Sequence, residues 1–274
     1  MMDVLLVFFS SAVSSYFLIP LIYKLLLHSN TVAKNYCADI IVTGMGLILV
    51  PVIIFCFSIS IVFFDLQHSI LLVFLCGVLA IAFVGIIDDL LGKDCTRGFK
   101  GHIGSLIRGI VTTGGLKAMI GALIAGFIAL INSNNILEVI INALIIALMA
   151  NLLNIFDLRP GRAIKLFFVL GLVFIYIGLT FESKLFLAVV IGFSAVYLPH
   201  ELRRSSMLGD VGANLLGICL GLIAIISFSL LIKYILLINL LIIHYVAEKH
   251  SLTKIIQNNI ILKYIDEIGY KSGP

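Results

Sequence analysis

The chain has 274 residues, 62% of them hydrophobic, and a mean hydropathy of +1.22; soluble domains lie nearer ~45–50% apolar. Charged residues make up 12% and the net charge is +4, which leaves little for a soluble domain and gives no reason to expect a nucleic-acid partner. The composition is that of an integral membrane protein. Cys37, Cys56, Cys76, Cys95 and Cys219 show no paired spacing and read as free thiols.

The first residues, MMDVLLVFF, carry an acid where a signal peptide carries basic residues, so the first span is expected to be retained. Crossing roughly 30 Å of hydrocarbon takes about 20 apolar helical residues. Nine segments are candidates: 3–27, 40–63, 69–87, 103–130, 136–156, 163–180, 184–200, 211–231 and the short 233–247. In the tail, 250–270, Ile255, Ile256, Ile260, Leu262 and Ile265 alternate with polar residues. That pattern predicts an amphipathic helix lying on the membrane rather than a tenth span. No linker, repeat or second domain interrupts residues 1–274. The expected fold class is all-α, a polytopic membrane bundle of about nine spans plus the amphipathic tail.

Nine spans place Lys24, Lys34, Lys93, Arg97, Lys100, Arg108, Arg159, Arg162, Lys165, Arg203, Arg204, Lys249, Lys254, Lys263 and Lys271 on one side. Lys184 and Lys233 fall on the other, and Lys117 lies within span four. Fifteen against two is a strong positive-inside bias. It predicts an outside N-terminus and a cytoplasmic tail.

In chain order, the polar groups gather at the cytoplasmic mouths. VGIIDDLLG ends span three with Asp88 and Asp89. Adjacent acids at a helix C-terminus oppose the macrodipole, which makes sense if a cation binds there. GFKGHIGSLIRG (98–109) combines glycine with basic residues and could cradle phosphate. Lys117 sits below the membrane surface and needs an anion, either a carboxylate or a phosphate. In NLLNIFDLRPG, Asn151, Asn154 and Asp157 recur every third residue and share one helix face. They read as lining a watery cleft or an interhelical hydrogen-bond seam. MLGDVG opens span eight with Asp210, either a helix cap or a ligand. Hard oxygen ligands, amides and cations at one face suit Mg²⁺ shared with a diphosphate.

These motifs resemble those of the polyprenyl-phosphate N-acetylhexosamine-1-phosphate transferases, which include the phospho-N-acetylmuramoyl-pentapeptide transferases of glycosyltransferase family 4 type. The resemblance covers about residues 34–217. FVGIIDDLLG is similar to the family's acidic pair, NLLNIFD to its Asn-x-x-Asn-x-x-Asp motif, MLGDVGANLLG to its Met-Gly-Asp-x-Gly motif, and TGMGL (43–47) to the glycine-rich start of its second span.

The resemblance implies transfer of a sugar-1-phosphate from a UDP-sugar to a polyprenyl phosphate such as undecaprenyl phosphate, with release of UMP. That activity serves cell-envelope synthesis, as in peptidoglycan, at the plasma membrane. It implies Mg²⁺, with Mn²⁺ as an alternative, and leaves a homodimer open. Asp210 would be the metal ligand, with Asp157 beside it, and Asp88 the base. Asp89, Asn151, Asn154 and Asp157 would position diphosphate, nucleotide or metal. Lys100 and Lys117 would contact phosphate, while Gly209 and Gly212 would let backbone approach the substrate.

The sequence also departs from the family. Where the third motif usually continues Asp-Gly-Leu-Asp-Gly, this chain reads DLRPGRA; the second acid is absent and Arg159 and Arg162 stand nearby as substitute substrate contacts. The histidine-rich motif of the last cytoplasmic loop is reduced to His244 and His250, with His250 its nearest counterpart, and the usual final span is expected to be absent. The alternatives are a non-catalytic paralogue that binds lipid carrier or a partner enzyme, and a transporter. Transport is disfavoured because the acids cluster at one face rather than at the midplane.

Overall fold

The computed structural model describes residues 2–64, 68–91 and 113–269. Helix α1 (Met2–His28) leads into a hairpin, β1 (Val32–Lys34) and β2 (Ile40–Val42), and a 3-10 turn (Met45–Ile48) that continues as α2 (Leu49–Phe63). The bundle then runs through α3 (His68–Leu91), α4 (Thr113–Ile131), α5 (Ile136–Phe156), α6 (Arg162–Ile177), α7 (Phe181–Leu202), α8 (Gly209–Ser227) and α9 (Leu230–Lys249). Two short helices follow, α10 (Leu252–Asn258) and α11 (Ile260–Glu267).

The all-α membrane bundle is therefore as the hydropathy indicated. Eight helices among the described residues are long and apolar enough to span a membrane. The expected sixth span is α6, which has only 16 residues. Local chemistry sets several boundaries. Asn135 caps α5 by accepting the Glu138 N–H at 3.0 Å, and Thr180 caps α7 by accepting the Ser183 N–H. Pro160 cannot continue α5, and Gly161 adopts φ +72° at the start of α6.

The centre of the bundle is α8, whose residues from Val211 to Ile225 are all buried. It packs against α3, α5, α6 and α7, while α1 lies along α7. Water cannot drive helix association within lipid, so close packing of small residues matters more. A Cβ on Gly217 would lie 2.3 Å from the Met149 carbonyl oxygen, and one on Gly46 would lie 2.0 Å from Gly212 Cα. Backbone touches backbone at both places.

Adjacent helices run in opposite directions, so their ends gather into two groups. At one end, buried Lys233 (α9) donates to Glu138 (α5) at 3.1 Å. At the other end, the last turns of α3, α5 and α7 meet the first turns of α4, α6 and α8. The hairpin closes over this second end. Val42 bridges Ser206, Val42 O accepts the Met207 N–H at 2.8 Å, and the Met45 and Gly46 N–H groups donate to Met207 O and Leu208 O.

The tail differs from the single helix expected over 250–270. It breaks at Asn259, whose Oδ1 accepts the N–H groups of Ile261 and Leu262 at 3.0 and 3.1 Å and so starts α11 afresh. Cys37, Cys56, Cys76 and Cys219 are free, as expected; Cys95 lies outside the described residues.

Candidate active site

The site grows from Asp210, in the first turn of α8. Lys117, in the second turn of α4, donates to Asp210 Oδ2 at 2.6 Å and to Asp88 Oδ2 at 3.4 Å. The lysine side chain is 19% exposed and those of the acids 15% (Asp88) and 34% (Asp210). This half-buried ion cluster is drawn from three helices. Of the two anions open to Lys117 in the sequence, the structure shows the carboxylate.

Asp89 does something different from its neighbour. Its Oδ1 accepts the Asp210 N–H at 3.2 Å and its Oδ2 the Val211 N–H at 3.3 Å. The N-cap position of α8, Leu208, supplies no side-chain cap. A carboxylate from α3 thus satisfies two amides that the first turn of α8 leaves unpaired. Capping is done by Asp89, and the Asp210 carboxylate is left to project toward Lys117.

The glycines around Asp210 serve this junction. Gly209 has φ +71°, and a Cβ there would lie 2.6 Å from Gly44 N and 2.8 Å from Asp89 Oδ2. Gly212 is buried against Gly46. Both were expected to admit substrate to the backbone; in the structure the 43–46 backbone packs against them.

Asp157 occupies the C-cap position of α5. Desolvation, then the negative charges of Glu201, Asp210 and Asp89, hold its carboxyl well above the usual carboxylate range. Asn154 is half-buried one turn earlier, and Asn151 is exposed. The Asp157 end opens into a small pocket shared with Asn35, Tyr36, Arg159, Glu201 and Met207. The Arg159 and Arg204 guanidiniums lie 5.4 and 5.3 Å from the centre of the Tyr36 ring, close enough for cation–π attraction.

Glu201 was missed by the sequence reading. It is 1% exposed, and its Oε1 accepts the Leu208 N–H at 3.2 Å, just before Gly209 and Asp210. Its other oxygen is buried, with the Gly161 backbone nearby. A lone acid near a span end looks like an ordinary solvated terminus; only its burial between two site loops gives it away. Tyr36 was missed for a similar reason, because nothing local marks an exposed loop tyrosine.

Two expected contacts lie elsewhere. Arg162 is buried and its fork grips Asp266, with Nε–Oδ1 and Nη2–Oδ2 both 2.8 Å, so this guanidinium is directed to the tail rather than to the acids. His250 is exposed at the end of α9. Lys100 and the rest of 98–109 lie outside the described residues.

Asp88 and Asp210 already converge on one cation, the Lys117 ammonium. Among the described residues no three His, Cys, Asp or Glu side chains stand close enough to cage a metal. Mg²⁺ needs only one or two carboxylates when phosphate and water complete its shell. The donors present therefore fit that ion, with Asp210 as the first candidate.

The model of the family described as glycosyl transferase family 4 matches residues 71–228, more than half of the chain. The chain belongs to glycosyl transferase family 4. No curated protein matches it closely. The family 4 match begins within α3 and ends just past α8, so it contains Asp88, Asp89, Lys117, Asn151, Asn154, Asp157, Glu201 and Asp210. The hairpin, α9 and the tail lie outside it. As a family 4 member the protein is a membrane transferase of the class that moves phospho-sugars onto polyprenyl phosphate.

Proposed function

We propose that this transferase moves a sugar-1-phosphate from a UDP-N-acetylhexosamine-type donor to a polyprenyl phosphate and releases UMP, for cell-envelope glycopolymer synthesis. The observation that carries the reading is the Asp88–Lys117–Asp210 cluster, two carboxylates and one ammonium from separate helices at one end of a membrane bundle. The charge asymmetry supports a cytoplasmic position for that end in a plasma membrane. Lys233, one of two lysines expected outside, is neutralised by Glu138.

Phosphoryl transfer asks for positioning and charge neutralisation more than covalent help. The lipid phosphate arrives laterally, which is why the site must open at the interface. One of its oxygens attacks the phosphorus of the sugar-1-phosphate, and the bond from that phosphorus to the bridging oxygen breaks. The electron pair leaves on UMP. Asp88 takes the proton of the lipid phosphate, and Lys117 balances charge on the acids and on the transferred group. Asp89 and Glu201 hold the backbone around Asp210. Asp157 and Asn154 face the donor. Asp210, with Asp157 beside it, would hold Mg²⁺, which when bound supplies charge stabilisation on the diphosphate.

Incubating the purified protein with polyprenyl phosphate, Mg²⁺ and a panel of UDP-sugars, and measuring UMP, tests the reading. Lipid-dependent UMP release from one donor supports it. Silence with every donor would favour the non-catalytic carrier-binding reading, whose specific support is the absent second acid at 158–162.

A further inference from the structure

The tail contains an acid buried far from the ion cluster. Asp266, in α11, is 5% exposed and is held by Arg162, itself 5% exposed. The pairing is bidentate, and the remaining Arg162 nitrogen, Nη1, donates to Thr253 Oγ1 in α10 at 3.2 Å. Lys165, one turn further along α6, donates to the carbonyl oxygens of Ile265 and Asp266 at 3.1 and 2.6 Å. Those carbonyls lie in the last turn of α11, where no helical amide remains to pair them. Arg159 comes within 4.0 Å of Asp266 Oδ2. The tail therefore grips the turn from Asp157 to Arg162 and the helix that follows it. That turn joins the Asp157 end of the site to α6.

The opposite side of α11 is mostly apolar, with exposed Glu267 at its edge, and no other described residue buries it. Ile260, Ile261 and Tyr264 recur at helical spacing and Ile268 follows just past the helix end; they are 86%, 69%, 70% and 50% exposed. Exposed Lys254 and Lys263 lie in the same two helices, Lys263 within 4.0 Å of Glu267. Water alone is a poor partner for four large side chains on one side. This helix is fastened to the first turn of α6, at an end of the spanning bundle, which is where headgroups meet hydrocarbon. The occupant that fits is the lipid surface itself: acyl chains against the isoleucines, and phosphates near the lysines.

We propose that α10 and α11 form a strap lying on the lipid surface, and that Asp266 is a positioning residue which holds the Asp157–Arg162 turn through Arg162. Membrane contact on one side of the strap thereby steadies the site on the other.

The chain has no tryptophan, so Tyr264→Trp in the full-length protein gives a single reporter. In vesicles of phosphatidylcholine and phosphatidylglycerol, lipid brominated near the headgroup should remove more than about half of its emission. Emission quenched by aqueous iodide and untouched by brominated lipid would overturn the strap. The second measurement is amide hydrogen exchange in the same vesicles, with α8 as the internal reference. Asp266→Asn should speed exchange at 157–162 by about tenfold or more and leave α8 unchanged. The charge-reversed pair, Arg162→Asp with Asp266→Arg, should bring exchange back to within about threefold of the parent. Unchanged exchange at 157–162, or acceleration that spreads through α8, would overturn the positioning role. Neither readout needs turnover, so both stand whether or not the proposed donor is correct.

Discussion

The carboxylate of Asp89 receives the backbone N–H of Asp210, at 3.2 Å, from a helix 121 residues further along the chain. One acid caps the helix and the other projects from it. The two should fail differently when neutralised. Asp210→Asn should leave thermal stability within about 0.5 kcal/mol of the parent, because the cap is untouched. UMP release should fall by at least about 10²-fold, with partial recovery in excess Mg²⁺. Asp89→Ala should lower stability by about 0.5–2 kcal/mol through loss of the cap. Near-parental UMP release by Asp210→Asn at low Mg²⁺ would remove Asp210 from the metal site.

The Lys117 ammonium pairs at 2.6 Å with Asp210, the proposed metal ligand, and would compete with a metal for that carboxylate. Lys117→Gln should therefore separate binding from rate. Mg²⁺ should bind more tightly, because its competitor is gone, and this can be read as protection against thermal unfolding. UMP release should fall by about 10²-fold, because a positive group aimed at the transferred phosphoryl is lost. Weaker Mg²⁺ protection in a folded variant would contradict the shared cation position.

Gly46 and Gly212 meet backbone to backbone, and everything a Cβ on Gly46 would strike is backbone of Val211 and Gly212, with no flexible side chain that could move aside. Gly46→Ala should cost about 3 kcal/mol or more and lower the yield of monodisperse protein in detergent. Gly126, around which a Cβ would meet nothing within 4 Å, provides the control. Gly126→Ala should be neutral or stabilising by about 1 kcal/mol, from helix propensity.

Asp157 carries a pH dependence of definite sign. Its carboxyl titrates well above the usual range in the folded chain, chiefly because it is desolvated, and near ~3.9 when unfolded. Between those values the folded state keeps a proton that the unfolded state has released. Stability contributed by this group therefore falls as pH rises through the window. In metal-free buffer Asp157→Asn should melt above the parent at neutral pH, and the gap should close as pH approaches 4. A gap that is constant across that range would show that Asp157 does not titrate there.

The spans and the clustered acids could be read from the sequence because their signals are local. An apolar run of twenty residues needs no partner to be recognised, and Asp88, Asp89, Asp157 and Asp210 each stand at the end of one. What escaped depends on pairs far apart in the chain. Arg162 and Asp266 are separated by 104 residues, and in sequence each is an ordinary charged residue near the interface. Glu201, at the end of α7, acquires its burial only because the turns around 157–160 and 207–208 close over it. The glycines of MLGDVG announce a close approach, but cannot say that the visitor is residues 43–46 rather than substrate. The tail was read as one helix because its apolar periodicity runs past Asn259, whose cap is a competing local signal.

The 16-residue α6 has a consequence for the surrounding bilayer. At about 1.5 Å per residue it reaches about 24 Å, some 6 Å short of an average hydrocarbon thickness. Val169, Leu172, Val173 and Tyr176 are exposed along it, so lipid rather than protein must absorb the shortfall. A bilayer in contact with that face would have to thin beside α6, which would bring headgroups toward the Arg162 end. On the proposed function, an acceptor phosphate arriving on that flank would travel a shorter vertical distance than through bilayer of full thickness. The protein should consequently work best in short-chain lipid and slow as acyl chains lengthen.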